Sequence, residues 1–186
     1  MSDRTDKAIA YLRPEVPSHD QSPELSLSGD DAPVLRTFAS GLLTAYLFDE
    51  GDTFSYLQVR DLRESGIGEE ALHRQAVANL AALAEGNVTV EEIGPVWTLS
   101  LEGNFEASLL LLDDLWRSGL REYAEDPVVA IPSRDVLAFC DAESVAGLAE
   151  LHAVVKRVWP SGDHLLSENL YQRVDGKWRV HSYGSQ

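Results

Sequence analysis

The chain has little cysteine and few basic residues, and both shortages narrow the functions it can serve. Cys140 is the only cysteine among 186 residues, which excludes an internal disulfide and a metal site with several cysteine ligands. Lysine and arginine together number 15 against 31 aspartates and glutamates, a formal net charge of −16. Such a surface repels phosphate backbones and anionic lipids. We therefore expect no nucleic acid and no membrane as partner, and instead a protein partner that is basic or that docks on an apolar patch ringed by acidic residues.

Long hydrophobic runs and the common catalytic motifs are also absent from the sequence. The N-terminal segment lacks the apolar run of a signal peptide, and no later run reaches transmembrane length. This pattern predicts a cytoplasmic protein. A glycine-rich phosphate loop, a nucleotide fingerprint, a nucleophile elbow and histidine pairs at metal-binding spacing are missing as well. We expect no cofactor and no metal, and these motifs identify no catalytic residue.

The apolar pattern of the chain alternates between hairpins and helices. Turn residues between short apolar runs mark the hairpins, and Asp175-Gly176 is the strongest of these signals. Apolar residues at helical spacing predict three main helices, over 69–86, 104–117 and 141–160. Because successive hairpins pair their strands antiparallel, the sequence predicts an α+β fold with an antiparallel sheet, not a doubly wound parallel sheet.

The predicted domain covers residues 34–186. Residues 1–33 contain four prolines and only short apolar stretches, which predicts a poorly defined segment with two short edge strands.

Two carboxylates of the predicted helix 104–117 form the first candidate site. Glu106 and Asp113 are seven residues apart and would lie on the same flank of that helix. Such a pair can bind a divalent cation or act as general acid and base. The favoured interpretation is structural: Glu106 would serve the helix N-terminus, and Asp113 would pair with Arg117 one turn later.

The stretch from Pro132 to Asp135 forms the second candidate site, a predicted four-residue hairpin loop. Pro132 restricts its own φ, and Ser133 and Asp135 can bond nearby backbone amides, so turn chemistry explains Asp135. Arg134 would project outward. It would either pair with a carboxylate of the chain, for example Asp141, or recognise a carboxylate or phosphate on a ligand.

Five segments occur in an order and spacing that resemble the YtpQ family of conserved bacterial proteins, a domain of unknown function. The resemblance extends from about Ile9 to about Trp178, and the segments read AIAYLRP, AYLFDEGDTFSYL, NFEASLLLLDDLW, DPVVAIPSRDVLAFCD and NLYQRVDGKWRV. The resemblance implies a bacterial cytosolic protein. It supplies no activity, cofactor or catalytic residue.

Three functional hypotheses follow. The leading one is a non-enzymatic protein-binding or adaptor module, with homodimerisation as a variant, in which the terminal hairpin offers Trp178 as an anchor beside Tyr171 and Tyr183. A variant of this hypothesis is a secretion-chaperone or immunity-like protein that masks a client, by analogy of fold only. The hypothesis ranked second is a metal-assisted hydrolase that would gather the carboxylates and arginine of the two candidate sites, with His164, in one cleft.

Overall fold

A computed structural model describes residues 3–15, 29–50 and 53–182. In these residues ten strands form two antiparallel sheets, accompanied by four α-helices. The helices are α1 Asp3–Asp6, α2 Val59–Ser65, α3 Glu69–Ala84 and α4 Val145–Val158. Helices combined with antiparallel sheets confirm the predicted α+β class.

The first sheet is built around one long strand. Its members are β1 Ile9–Pro14, β2 Leu35–Ala39, β3 Leu42–Asp49 and β4 Phe54–Tyr56. Strand β3 lies between β1 and β2, and β4 pairs with the last residues of β3. Strand β1 is therefore an edge strand, as predicted, whereas the second predicted edge strand, at 24–27, lies outside the described residues.

The second sheet has six strands in the order β10-β9-β7-β8-β6-β5. These strands are β5 Thr89–Ile93, β6 Val96–Ser100, β7 Pro127–Ser133, β8 Val136–Asp141, β9 Leu170–Val174 and β10 Lys177–Val180. The closing hairpin has its turn at Asp175 and Gly176, both with positive φ (51° and 74°). Two consecutive positive φ angles are what a two-residue hairpin turn of type I′ requires, so the predicted hairpin is confirmed.

Strand β7 is buried along its whole length, because both faces of the second sheet are covered. Successive side chains of a strand point to opposite faces. Val128 and Ala130 pack against Leu148 and Leu151 of α4. Val129 and Ile131 belong instead to the main core, which the second sheet shares with β1 and with residues 105–120.

The prediction of one continuous helix over 104–117 is wrong. A 3-10 helix covers Ala107–Leu111 and a π-helical turn covers Leu115–Gly119, while Leu112 between them has a ψ of 88°. Four successive leucines, 109–112, lead into the break, and at about 100° per residue their side chains would be spread around most of one α-helix. Leu109, Leu110 and Leu112 are buried and Leu111 is half-buried, so this segment packs against the protein on more than one side.

Candidate functional site

The arginine and aspartate of the second candidate site form a tighter turn than predicted. Strand β7 continues to Ser133, which pairs with Val136 of β8, so the turn consists of Arg134 and Asp135 alone. The Ser133 hydroxyl donates to Oδ1 of Asp135 at 2.6 Å, rather than either side chain bonding a backbone amide. Asp135 is exposed and remains explained by turn chemistry.

Arg134 does not project into solvent. It is half-buried, and its backbone carbonyl accepts from the N–H of Ala107 at 3.1 Å. Its guanidinium lies beside the hydroxyl of Tyr11. The expected alternative partner, Asp141, lies at the opposite end of the hairpin and accepts from the backbone N–H groups of residues 125, 126 and 143. The backbone of the turn is therefore held at Ala107 and also at His164, whose carbonyl accepts from the N–H of Arg134 at 3.2 Å.

Tyr11 connects the arginine of this turn to a second arginine. Burial first, and then the neighbouring Tyr56, raise the pKa of Tyr11 to about 12, while Arg134 and Arg13 oppose the shift. The guanidinium carbon of Arg13 lies 5.5 Å from the centroid of the Tyr56 ring, within cation–π distance. Arg134, Tyr11, Arg13 and Tyr56 thus form one cluster of two arginines and two tyrosines, which we call the arginine–tyrosine cluster.

Glu106 is a buried structural carboxylate, 3% exposed. Its Oε1 accepts from the N–H groups of Leu101 and Gly103, each at 2.8 Å, and so closes the loop that precedes the 3-10 helix. Its Oε2 has no hydrogen-bond partner among the described residues. The predicted role of Glu106 at a helix N-terminus is therefore corrected. Its carboxylate binds backbone N–H groups of the loop that precedes the 3-10 helix.

Asp113 is not on a shared flank with Glu106, since the helix that would have aligned them is broken. It is exposed and pairs with Arg173 of β9, and the adjacent Asp114 takes the predicted role by pairing with Arg117. Among residues 3–15, 29–50 and 53–182, no group of three or more His, Cys, Asp or Glu side chains could hold a metal ion.

Trp178, expected as an exposed docking anchor, is buried with 8% exposure. Its indole N–H donates to the carbonyl of Leu110 at 3.1 Å, and its ring meets that of Trp116 edge to face at 5.0 Å. Tyr171 is also fully buried, and Tyr183 lies outside the described residues. The prediction that Trp178 and Tyr171 form a docking surface is therefore wrong, because both rings belong to the main core.

Sequence reasoning missed Arg13, because AIAYLRP reads as an apolar edge strand. The available signal was the spacing of Tyr11 and Arg13, which places both side chains on one face of a strand. Only the packing of β4 and of the Arg134 turn around that face shows that Arg13 is buried.

A groove between α3 and the segment 111–115 was also missed. It has a volume of about 740 Å³. Its floor is formed by apolar side chains of both elements and of Val88, which follows α3: Val77, Ala78, Ala81, Ala84, Val88, Leu111, Leu112 and Leu115. Of the four residues whose spacing predicts α3, Leu72, Ala76 and Leu80 are buried and Leu83 is half-buried. The pattern assigned no role to the alanines beside them.

No helix in the part of the chain that the structure describes combines the length and the apolar character needed to cross a membrane. Comparison of the chain with protein-family models, with curated proteins and with solved structures gave no match.

Proposed function

We propose that this chain is a cytoplasmic, non-enzymatic protein-binding module whose groove between α3 and residues 111–115 binds an amphipathic helix with a basic polar face. The observation that carries the proposal is the apolar floor of that groove. Val77, Leu111 and Leu115 are only half-buried there, and Ala78 and Ala81 are exposed. Helix-in-groove recognition uses this combination of an apolar floor and a polar rim.

The shape of the groove fits a helix. Ala78 and Ala81 are one turn apart on α3 and carry the smallest side chains that still favour a helix, which lets a partner backbone approach closely. From Arg74 to Glu85, both at the groove, α3 extends for about 16 Å at 1.5 Å per residue. That length matches about three turns of a bound helix.

The charge of the whole chain favours a basic partner. Glu85, Asp113 and Asp114 line the groove with Arg74, but Asp113 is paired with Arg173 and Asp114 with Arg117, so the preference rests on the net charge of −16. His73 also lines the groove, and burial followed by the nearby Arg36 lowers the pKa of this histidine, so it adds no positive charge at neutral pH. A second copy of this chain carries the same net charge of −16, which disfavours self-association as the use of this surface.

The test uses two designed helical peptides with the same leucine face, one with lysine and one with glutamate on the polar face. Binding to the full chain is followed by fluorescence anisotropy. We expect the lysine peptide to bind, and to bind more weakly as salt is raised, because screening weakens charge pairs. The substitution Ala81→Trp fills the groove and is expected to abolish binding.

Ala82→Trp is the matched control, because Ala82 is an exposed residue of the same helix that does not line the groove. Equal binding of both peptides, equal loss in both variants, or no binding of either peptide would refute the proposal. The same two variants serve as baits in native bacterial lysate, where a partner retained by Ala82→Trp and lost by Ala81→Trp identifies the natural ligand.

A further inference from the structure

Arg13 is a buried cation whose donors are unused by the described chain. It stands in β1 opposite Leu43 of β3 and is 3% exposed. Among the described residues, its Nε and Nη1 have no hydrogen-bond acceptor. An arginine keeps its charge in a protein, and burying an unpaired ion costs several kcal/mol. Contact with the Tyr56 ring at 5.5 Å offsets about 2 kcal/mol of this at most.

A cavity of about 230 Å³ adjoins this guanidinium. Arg13 and Tyr56 form part of its wall, together with Arg4, Ser55, Gln58 and Arg60. Pockets that hold drug-sized ligands measure roughly 300–1,000 Å³. The cavity therefore suits a small molecule and is too small for a segment of another chain.

The other two arginines of the cavity are already neutralised. Arg60 pairs with Asp31 at 2.8 Å. Arg4 lies 3.4 Å from Asp61 and 3.7 Å from Glu50, with its guanidinium 4.6 Å from the centroid of the Phe48 ring. Of the cations around the cavity, Arg13 is the one for which the described residues supply no carboxylate. The carboxylates Asp31 and Glu50 also line the cavity, and with Asp61 they balance the three arginines in number. Among the described residues, Arg13 is nevertheless the buried arginine that no carboxylate contacts.

We propose that the cavity beside Arg13 is a binding site for a small oxyanion, a carboxylate or phosphate group on a small molecule. The guanidinium offers donors in a planar fork that matches both groups. Ser55 and Tyr56 also line the cavity, but the Ser55 hydroxyl already donates to Glu50 at 2.7 Å, so the proposal rests on the Arg13 guanidinium. At physiological ionic strength fields are screened within about 8 Å, so the net charge of the chain does not prevent an anion from binding at close range.

This inference is independent of the groove between α3 and residues 111–115, since the two sites share no lining residue. Each can therefore fail without the other.

The experiment measures binding of inorganic phosphate and of malonate to the full chain by isothermal titration calorimetry, with uncharged malonamide as the third ligand. Ionic strength is held constant with potassium chloride. We expect at least one of the two anions to bind and malonamide not to bind, and the stronger of the two identifies phosphate or carboxylate as the preferred group.

Arg13→Met removes the charge while keeping an apolar stem, and is expected to weaken binding by at least about tenfold. Arg13→Lys keeps the positive charge but not the planar guanidinium. We expect its affinity for the anion to lie between those of the wild type and Arg13→Met. The control is Arg36→Met, the same change of charge at an exposed arginine of β2 that pairs with Glu70.

The stability of Arg13→Met shows whether Arg13 serves to bind an anion or to hold the fold together. Replacing a buried charge by an apolar side chain is often neutral or stabilising, so Arg13→Met should remain folded, with an unfolding temperature no lower than that of the wild type. Absence of heat for both anions with the wild type, or equal weakening by Arg13→Met and Arg36→Met, would overturn the proposal. So would a marked loss of stability in Arg13→Met, which would mean that the described fold already satisfies the charge.

Discussion

The hydroxyl of Tyr171 donates to the backbone carbonyl of Ser40 at 2.9 Å, although 131 positions separate them in the chain. Tyr171 belongs to β9 of the second sheet, and Ser40 lies in the turn between β2 and β3 of the first. The same hydroxyl is 2.9 Å from the hydroxyl of Ser167. One buried side chain therefore joins the two sheets.

Tyr171→Phe should lower the free energy of unfolding by about 1–3 kcal/mol, because the Ser40 carbonyl and the Ser167 hydroxyl lose a buried partner while the ring is retained. Urea unfolding followed by tryptophan fluorescence measures the loss. Tyr123→Phe is the control, since that half-buried ring packs on Trp97 and keeps this contact. A loss in Tyr123→Phe as large as in Tyr171→Phe would contradict the assignment.

Trp178→Ala should destabilise the protein by about 3–5 kcal/mol, the usual cost of removing a buried tryptophan. Trp178→Phe keeps the apolar ring but leaves the Leu110 carbonyl without its donor, so a smaller loss of about 1–3 kcal/mol is expected. Near-ultraviolet circular dichroism and urea unfolding test both variants. If Trp178→Ala left stability unchanged, the ring would not be part of the core, and its role as a surface anchor would be restored.

Glu106→Ala should destabilise the loop before the 3-10 helix, because two backbone N–H groups lose a charged acceptor. Hydrogen bonds to charged groups contribute about 1.5–3 kcal/mol, so a loss of that order is expected. Glu106→Gln keeps an acceptor oxygen and should lose less. Hydrogen exchange of the Leu101 and Gly103 amides by NMR reports the site directly, and unchanged protection of both amides in Glu106→Ala would contradict the assignment.

Stability should fall as the pH rises from 10 towards 12. Burial raises the pKa of both Tyr11 and Tyr46 from 10.0 to about 12. The folded state therefore holds protons that the unfolded state releases over this range, and the stabilisation present below pH 10 is lost as the pH approaches the folded values. Urea unfolding at several pH values in this window measures the slope.

Tyr11→Phe removes one of the two groups and should make that slope shallower. Tyr123→Phe is again the control. Glu122 first, and then burial, raise the pKa of Tyr123, but less strongly than the pKa of Tyr11 is raised. The pH dependence of stability in Tyr123→Phe should therefore stay closer to that of the wild type. An unchanged slope in Tyr11→Phe would mean that Tyr11 ionises in the folded protein as easily as in the unfolded chain.

Much of the local structure could be predicted because it depends on neighbouring residues. The turn at Asp175-Gly176 needs two positive φ angles, which these residues adopt at low cost. The span of α3 followed from the spacing of Leu72, Ala76 and Leu80. The break at Leu112 could not be predicted in the same way, because the four leucines at 109–112 favour a helix by propensity and only their packing on several sides decides where the helix is interrupted.

The candidate sites, too, were predictable in residue type but not in the contacts that the residues make. The residue types in the Arg134 turn and around Glu106 were visible in the sequence, and so were the acidity of the chain and its lack of catalytic motifs. Their roles depended on contacts between residues far apart in the chain: Arg134 with Tyr11, Asp113 with Arg173, Trp178 with Leu110. The sequence by itself therefore determined the α+β class, the hairpins and the charge, through local conformational preference and composition. Only the tertiary structure decided that Arg13 is buried and Trp178 hidden, because burial depends on which elements pack together.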